Sequence, residues 1–307
     1  MQTAPKTAHF HLPGLFEFYE LYKVFLPLFF NRSEWFYPWC DIGSIYGAPA
    51  DCIWGGGRAG FGKNGIDRQV FDLCQKYGIS PRLTFSNSLL QSQHLADQKC
   101  NKLCVLFGGE FGKNCAVQSG IIIHSDLLLE YLKERYPNFY FVSSTTKVLA
   151  NFGDFCAELS RGDFKYVVSD FRLNRQFEKL NALPPEQKDK VEFLCNECCW
   201  FECKKRKECY ENVSRKVLGQ NCEDHRCTAP DSGRGYVFSA AMKNPGFISA
   251  EDIKNIYLPM GFSNFKIEGR SLGSALILEF LLYYMTKPQH QLEVREQIYL
   301  DNTLDLF

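Results

Sequence analysis

The chain carries seven of its fourteen cysteines between Cys195 and Cys227, in the stretch CNECCWFECKKRKECYENVSRKVLGQNCEDHRC. Core packing rarely needs thiols at such density, because a free cysteine packs as a small hydrophobe that other residues can replace. Converging thiols form either a disulfide framework or a metal site. Cys199, Cys203 and Cys209, spaced C-x3-C-x5-C, can place three thiolates around one ion or cluster, with Cys222 or Cys227 as the fourth. Thiolates select zinc, copper(I) or iron–sulfur. A structural zinc site usually shows two short C-x2-C pairs, and only Cys195 and Cys198 have that spacing. Irregular spacing with a long gap before the last ligand fits a 4Fe–4S cluster better. Cys195 and Cys198 are then bystanders. The run Lys204-Lys205-Arg206-Lys207 offsets the cluster's negative charge, or is a solvated helical turn.

Other chemistry-bearing residues follow short apolar runs. Arg58 sits in the glycine-rich stretch Gly55 to Gly62, which lacks the Gly-Lys-Ser/Thr of a nucleotide loop. That stretch reads as a flexible loop, or as backbone open to a polar ligand. Asn87 follows Pro81–Phe85. Ser144, Thr146 and Lys147 follow Phe139–Val142, where Ser and Thr serve equally as helix caps. Glu268 and Arg270 follow Phe265–Ile267. These seven are the expected substrate contacts. His124, Asp126 and Asp170 are acid–base candidates or simple caps. G-x-S-x-G and H-E-x-x-H are absent, so no familiar hydrolase signature is present.

These positions need a scaffold. Apolar strand-like runs alternate with amphipathic stretches along most of the 307 residues. Such alternation predicts parallel strands joined by helical crossovers. Seven or eight units in this length suit a closed (β/α) TIM-type barrel, residues 1–307 as one α/β domain, better than an open doubly wound sheet. The cysteine-rich segment, residues 195–227, is then an insertion after a late strand, and the polar residues after strands belong to the barrel's C-terminal mouth.

Net formal charge is zero, which excludes general electrostatic coating of nucleic acid. No stretch is apolar enough to span a membrane, and the N-terminus lacks a signal-peptide pattern. A cytoplasmic location is therefore expected, where thiols favour metal over disulfides.

Three motifs resemble a known family. Lys266-Ile267-Glu268-Gly269-Arg270 is similar to the KIEGR signature of the collagenase-like peptidases, family U thirty-two. Ser143-Ser144-Thr145-Thr146 resembles that family's hxST strand end. Val191-Glu192-Phe193-Leu194, leading into Cys199, resembles its EVFVHGALC strand, whose last Cys opens the cluster-binding set. Order and separation agree across residues 40 to 285. The resemblance implies a barrel and, in several members, a 4Fe–4S cluster on four cysteines. It also implies oxygen-independent hydroxylation of ubiquinone precursors or RNA bases, the peptidase label being older. The family's second cysteine falls at Arg206 here, so only Cys199 carries over residue by residue. The ligand set this leaves is Cys199, Cys203, Cys209 and Cys227, with Cys222 in reserve.

The expectation is an iron–sulfur oxidoreductase or hydroxylase acting on a small aromatic or nucleobase substrate, served by a partner protein or electron donor. A zinc-stapled module that binds RNA or protein through Lys204–Lys207 is the alternative, and a peptidase the second alternative.

Overall fold

The structure is a computed structural model that describes residues 6–58, 64–108, 117–230 and 232–304. Eight parallel strands close into a barrel in sequence order. They are β1 (Ala8–Pro13), β2 (Cys40–Gly47), β3 (Ser80–Phe85), β4 (Gly120–Ile123), β5 (Tyr140–Ser143), β6 (Phe164–Val168), β7 (Val191–Leu194) and β8 (Asn264–Lys266). β8 pairs with both β7 and β1, which completes the closure. The expected barrel is the one observed.

The crossovers are α1 (Tyr19–Asn31), α2 (Asp67–Lys76), α3 (Gln98–Gly108), α4 (Asp126–Arg135), α5 (Phe152–Leu159), α6 (Phe177–Asn181) and α7 (Arg206–Val217). Two helices, α8 (Ser274–Met285) and α9 (Gln291–Leu304), follow the last strand. α4 starts where the Ser125 hydroxyl accepts from Leu128 N, and α5 where the Asn151 side chain accepts from Gly153 N and Asp154 N. Such caps satisfy the otherwise unpaired first N–H groups of a helix. No helix among the described residues is long and apolar enough to cross a membrane.

Strand alternation divides the side chains into two sets. Phe10, Leu83, Phe85, Ile121, Ile123, Phe141, Phe193 and Phe265 face outward into the main core beneath the helices. Tyr46, Ile122, Tyr140, Val142, Val168 and Leu194 form a separate cluster, the barrel interior. Interior positions of such barrels usually hold branched apolar residues. Here the set also includes Arg82, Glu192, Lys266 and His11, none more than 4% exposed.

Arg82 Nη1 donates to Glu192 Oε2 at 2.5 Å, and Lys266 Nζ lies 3.3 Å from the other oxygen, Oε1. His11 Nε2 is 3.5 Å from Oε2, while its Nδ1 meets the Ser44 hydroxyl at 2.8 Å. Burial works against the Glu192 charge, but Arg82 and Lys266 hold its pKa far below the usual carboxylate range. Burial, reinforced by Arg82, keeps His11 neutral. β1, β3, β7 and β8 are thereby tied together across the barrel. Glu192→Ala leaves two buried cations unpaired, so it is expected to cost about 3–5 kcal/mol of folding stability in urea titrations. A loss below about 1 kcal/mol would show that the charges are solvated.

Candidate active site

The loops leaving the C-terminal strand ends enclose two adjacent cavities. The inner one, about 50 Å³, sits in the barrel mouth. Tyr46, Thr84, Ile122 and Lys266 from the strands line it, and Ser144, Thr146, Arg58, Glu268 and Arg270 come from the loops above. The outer one, about 560 Å³, is bordered by Cys198, Cys199, Cys209 and Cys227. Arg58 lines both.

Five of the seven expected substrate contacts therefore meet in the mouth: Arg58, Ser144, Thr146, Glu268 and Arg270. Asn87 and Lys147 do not line it, and each has its polar atoms committed elsewhere. Asn87 is buried, with Nδ2 donating to the Ile53 and Ser214 carbonyls at 3.0 and 3.3 Å and Oδ1 accepting from Leu89 N. Lys147 Nζ pairs with Glu158 at 2.6 Å. In this structure both side chains secure loops. The acid–base candidates divide similarly. Asp126 is an exposed partner of Arg161, and Asp170 caps a turn and holds Arg172 in a two-oxygen grip. His124 meets the Thr146 hydroxyl at 2.8 Å.

The glycine run supplies close backbone packing. A Cβ on Gly56 would lie 2.5 Å from the Ser86 carbonyl oxygen, and Gly57 adopts φ +78° beside Arg270. Only glycine avoids both penalties. The Gly56 carbonyl accepts from Arg270 Nη2 at 2.6 Å, which fixes that side chain along the pocket. Ala59 to Gly62 lie outside the described residues.

A chain of buried charges joins the two cavities. Arg58 pairs with Glu268 and, at 2.6 Å, with Glu197. Glu197 also accepts from Arg206 at 2.5 Å and from Cys199 N at 2.8 Å. Arg206 approaches Asp170 at 4.0 Å and lies over the Phe171 and Tyr210 rings. Of the basic run, Arg206 alone is buried; Lys204, Lys205 and Lys207 face solvent. Arg206 is thus the buried cation of the cysteine segment, paired with Glu197.

The two carboxylates beside Arg58 differ. Burial opposes ionisation of Glu197, yet Arg206 and Arg58 hold its pKa well below the carboxylate range. Burial, with the Glu197 charge alongside, pushes Glu268 up to about 8 against the pull of Arg58. Glu197 is an anion and Glu268 retains a proton at neutral pH, an arrangement that separates acid from base. One polar atom on the pocket wall, Thr84 Oγ1, is buried with no hydrogen-bond partner among the described residues, whereas Glu268 bonds the Glu197 carboxylate. Such atoms are rare in folded proteins and mark a place where something else bonds.

The cysteines surround a space instead of converging on a point. Among the described residues no three His, Cys, Asp or Glu side chains are gathered as a single-ion site. Cys203 is buried behind the cavity wall, close enough to Cys199 and Cys209 for its charge to act on both. Cys195 is wholly buried in the core, its thiol against the Phe193 carbonyl, as expected of a bystander. Cys198, also expected to be one, instead lines the outer cavity beside Arg58. Cys222 is near Asn212, with Nδ2 donating to its sulfur at 3.7 Å. Burial raises the Cys199 thiol to about 12, so metal binding here must displace a proton. A donor set of soft sulfurs around one cavity fits a multi-iron cluster, which needs ligands spread around its own volume.

Sequence reasoning missed Lys266, Tyr46 and Thr84 as pocket residues. One signal was available: Arg82, Glu192 and Lys266 are charges inside runs that otherwise read as fully buried parallel strands.

No family model and no curated protein matches the sequence. A solved structure, that of the U32 peptidase Mk0906, superimposes with a TM-score of 0.53, covering 87% of this chain and 95% of that one at 12% identity. At that identity the likeness shows a U32-like barrel fold and says nothing of chemistry.

Burial, followed by the Lys147 and Lys207 charges, pushes His124 down to about 4, well under the roughly 6.5 of an unfolded histidine. The unfolded chain therefore binds the extra proton first, and stability falls as pH drops from 6.5 toward 4. Replacing His124 with Gln is expected to flatten that part of the stability–pH curve, measured by urea midpoints at pH 7, 6 and 5.

Proposed function

We propose that the chain is a barrel enzyme in which the cysteine-lined cavity holds a 4Fe–4S cluster and the adjoining mouth binds a small polar substrate. The supporting observation is the common wall: Arg58 lines both cavities and is clamped by Glu197 and Glu268. Cys199, Cys203, Cys209 and Cys227 would hold the cluster, with Cys198 the competitor for the position of Cys203. A bound cluster supplies one-electron or Lewis-acid chemistry, which suits an oxidoreductase or hydroxylase-type reaction.

The protein's own groups bind and orient. Ser144 and Thr146 present hydroxyls, Arg270 a guanidinium, and Glu268 a proton that it can give to a substrate oxygen. The about 50 Å³ of the mouth has room for roughly three to five water-sized groups at about 10–15 Å³ each. A small oxygen-rich substrate fits that volume as the pocket stands.

Purification without oxygen, followed by iron and sulfide analysis, tests the assignment. Close to four irons and four sulfides per chain are expected, lost in Cys199→Ala and retained in Cys195→Ala. Stoichiometric zinc instead would favour the stapled binding module. Peptide cleavage that persists in iron-free protein and disappears in Thr146→Val would move the assignment to hydrolysis, with His124 as the base beside a threonine hydroxyl and in line with the peptidase title of the structural neighbour.

A further inference from the structure

Two cations line the mouth, and neither has yet been matched to a substrate group. Arg270 is buried, 9% exposed, and its Nη2 donates to the Gly56 carbonyl. Among the described residues no carboxylate lies within ion-pair distance of it, and Glu17 and Glu268 act on it only from farther away. A buried guanidinium without a contact counter-ion on a pocket wall is a vacancy for an anion, and its planar donors suit a carboxylate. The second cation is Lys266, on the cavity floor and 4% exposed.

The surroundings of Lys266 are those of an activated amine. Its Nζ is 3.3 Å from Glu192 Oε1 and 3.5 Å from the centre of the Tyr46 ring. Glu192 is shared with Arg82, which takes its other oxygen at 2.5 Å, so the lysine has only part of one counter-charge. Burial pushes the ammonium down to about 8, with Arg82 and Arg270 adding to it and Glu192 opposing. Desolvation beside other cations is a recognised way for an enzyme to make a lysine nucleophilic. Lys266 borders the same small space as Arg270, Glu268 and the unpartnered Thr84 Oγ1.

We propose that the barrel mouth binds a small oxo acid, its carboxylate on Arg270 and its carbonyl carbon at Lys266 Nζ, with which it condenses to an imine. The lone pair of the neutral amine adds to the carbonyl carbon and gives a carbinolamine. The carbinolamine then loses its hydroxyl as water, leaving a carbon–nitrogen double bond. One water is released and no electrons are transferred. Glu268 lines the same cavity and protonates the departing hydroxyl, while Thr84 and Thr146 offer hydrogen bonds to the substrate oxygens. This deepens the reading of the mouth as the substrate site and rests on it, but requires no metal in the cysteine cavity.

Glyoxylate is the probe, because its five heavy atoms match the space available. The full chain is incubated with glyoxylate and sodium borohydride at pH 8, and each lysine is then read by peptide mass spectrometry. Reduction of the imine leaves a carboxymethyl group on the modified nitrogen. Lys266 is expected to carry it in preference to every surface lysine, equally in iron-loaded and iron-free protein. Arg270→Met is expected to lower labelling at Lys266 about tenfold, the effect of one charge-assisted pair. Lys266→Arg keeps the charge beside Glu192 and removes the nucleophile; in this folded variant, confirmed by circular dichroism, labelling in excess of the surface background should vanish. Label spread over surface lysines and absent from Lys266 in folded protein would overturn the proposal. Labelling of Lys266 that is indifferent to Arg270→Met would overturn the carboxylate half of it. Iron analysis reads the cluster assignment separately, so the two ideas fail independently.

Discussion

An ionised carboxylate survives in a protein interior only with cations at contact distance, and Glu192 has two. Isolated, a charge so deeply buried would cost several kcal/mol. Paired with Arg82 at 2.5 Å and Lys266 at 3.3 Å, it becomes a cross-barrel tie between strands distant in sequence. The barrel interior is therefore polar at its centre and apolar above and around it, where Tyr46, Ile122, Val142 and Leu194 pack. The same pairing determines where Lys266 points. Its ammonium cannot leave Glu192 without losing its buried counter-charge, so it stays at the floor of the mouth.

The charges continue upward. Arg58, Glu197, Arg206 and Asp170 alternate in sign from the mouth to the cysteine segment, and each is at least partly buried. This alternation anchors the segment after β7 with few apolar contacts of its own. Backbone contacts help: Arg172 Nη1 donates to the Cys203 carbonyl and Asn244 Nδ2 to the Cys199 carbonyl. The cysteines are accordingly held beside the barrel mouth by electrostatics, with Arg58 and Arg206 the cations that act on their thiols.

The barrel was legible because parallel strands covered on both faces read as short continuous apolar runs, and runs such as Ile121-Ile122-Ile123 are hard to mistake. Boundaries were less so. The segment Ala250 to Tyr257 is a helical turn at Ala250–Asp252 followed by a π turn at Ile253–Tyr257, a break that no residue type in the run announces. The helix α9 was not anticipated, since Thr286–Lys287–Pro288 breaks the pattern and its own apolar residues are partly exposed. Among the residues that line the mouth, four just beyond strand ends were legible by position: Arg270, Glu268, Ser144 and Thr146. Asn87 and Lys147 satisfied the same rule, but their partners Ser214 and Glu158 come from other elements and could not be seen. Thr84 and Lys266 lay inside strands, where a polar side chain is informative only once the inward face is known.

The central claim is that the cysteine cavity and the barrel mouth form one site with Arg58 between them. Diffraction at the iron absorption edge from crystals grown without oxygen tests it most directly. The account predicts anomalous density for a four-iron group within the cavity bounded by Cys199, Cys209 and Cys227, on the far side of Arg58 from Lys266. A single tetrahedral ion elsewhere in residues 195–227, or disulfides closing that cavity, would contradict it.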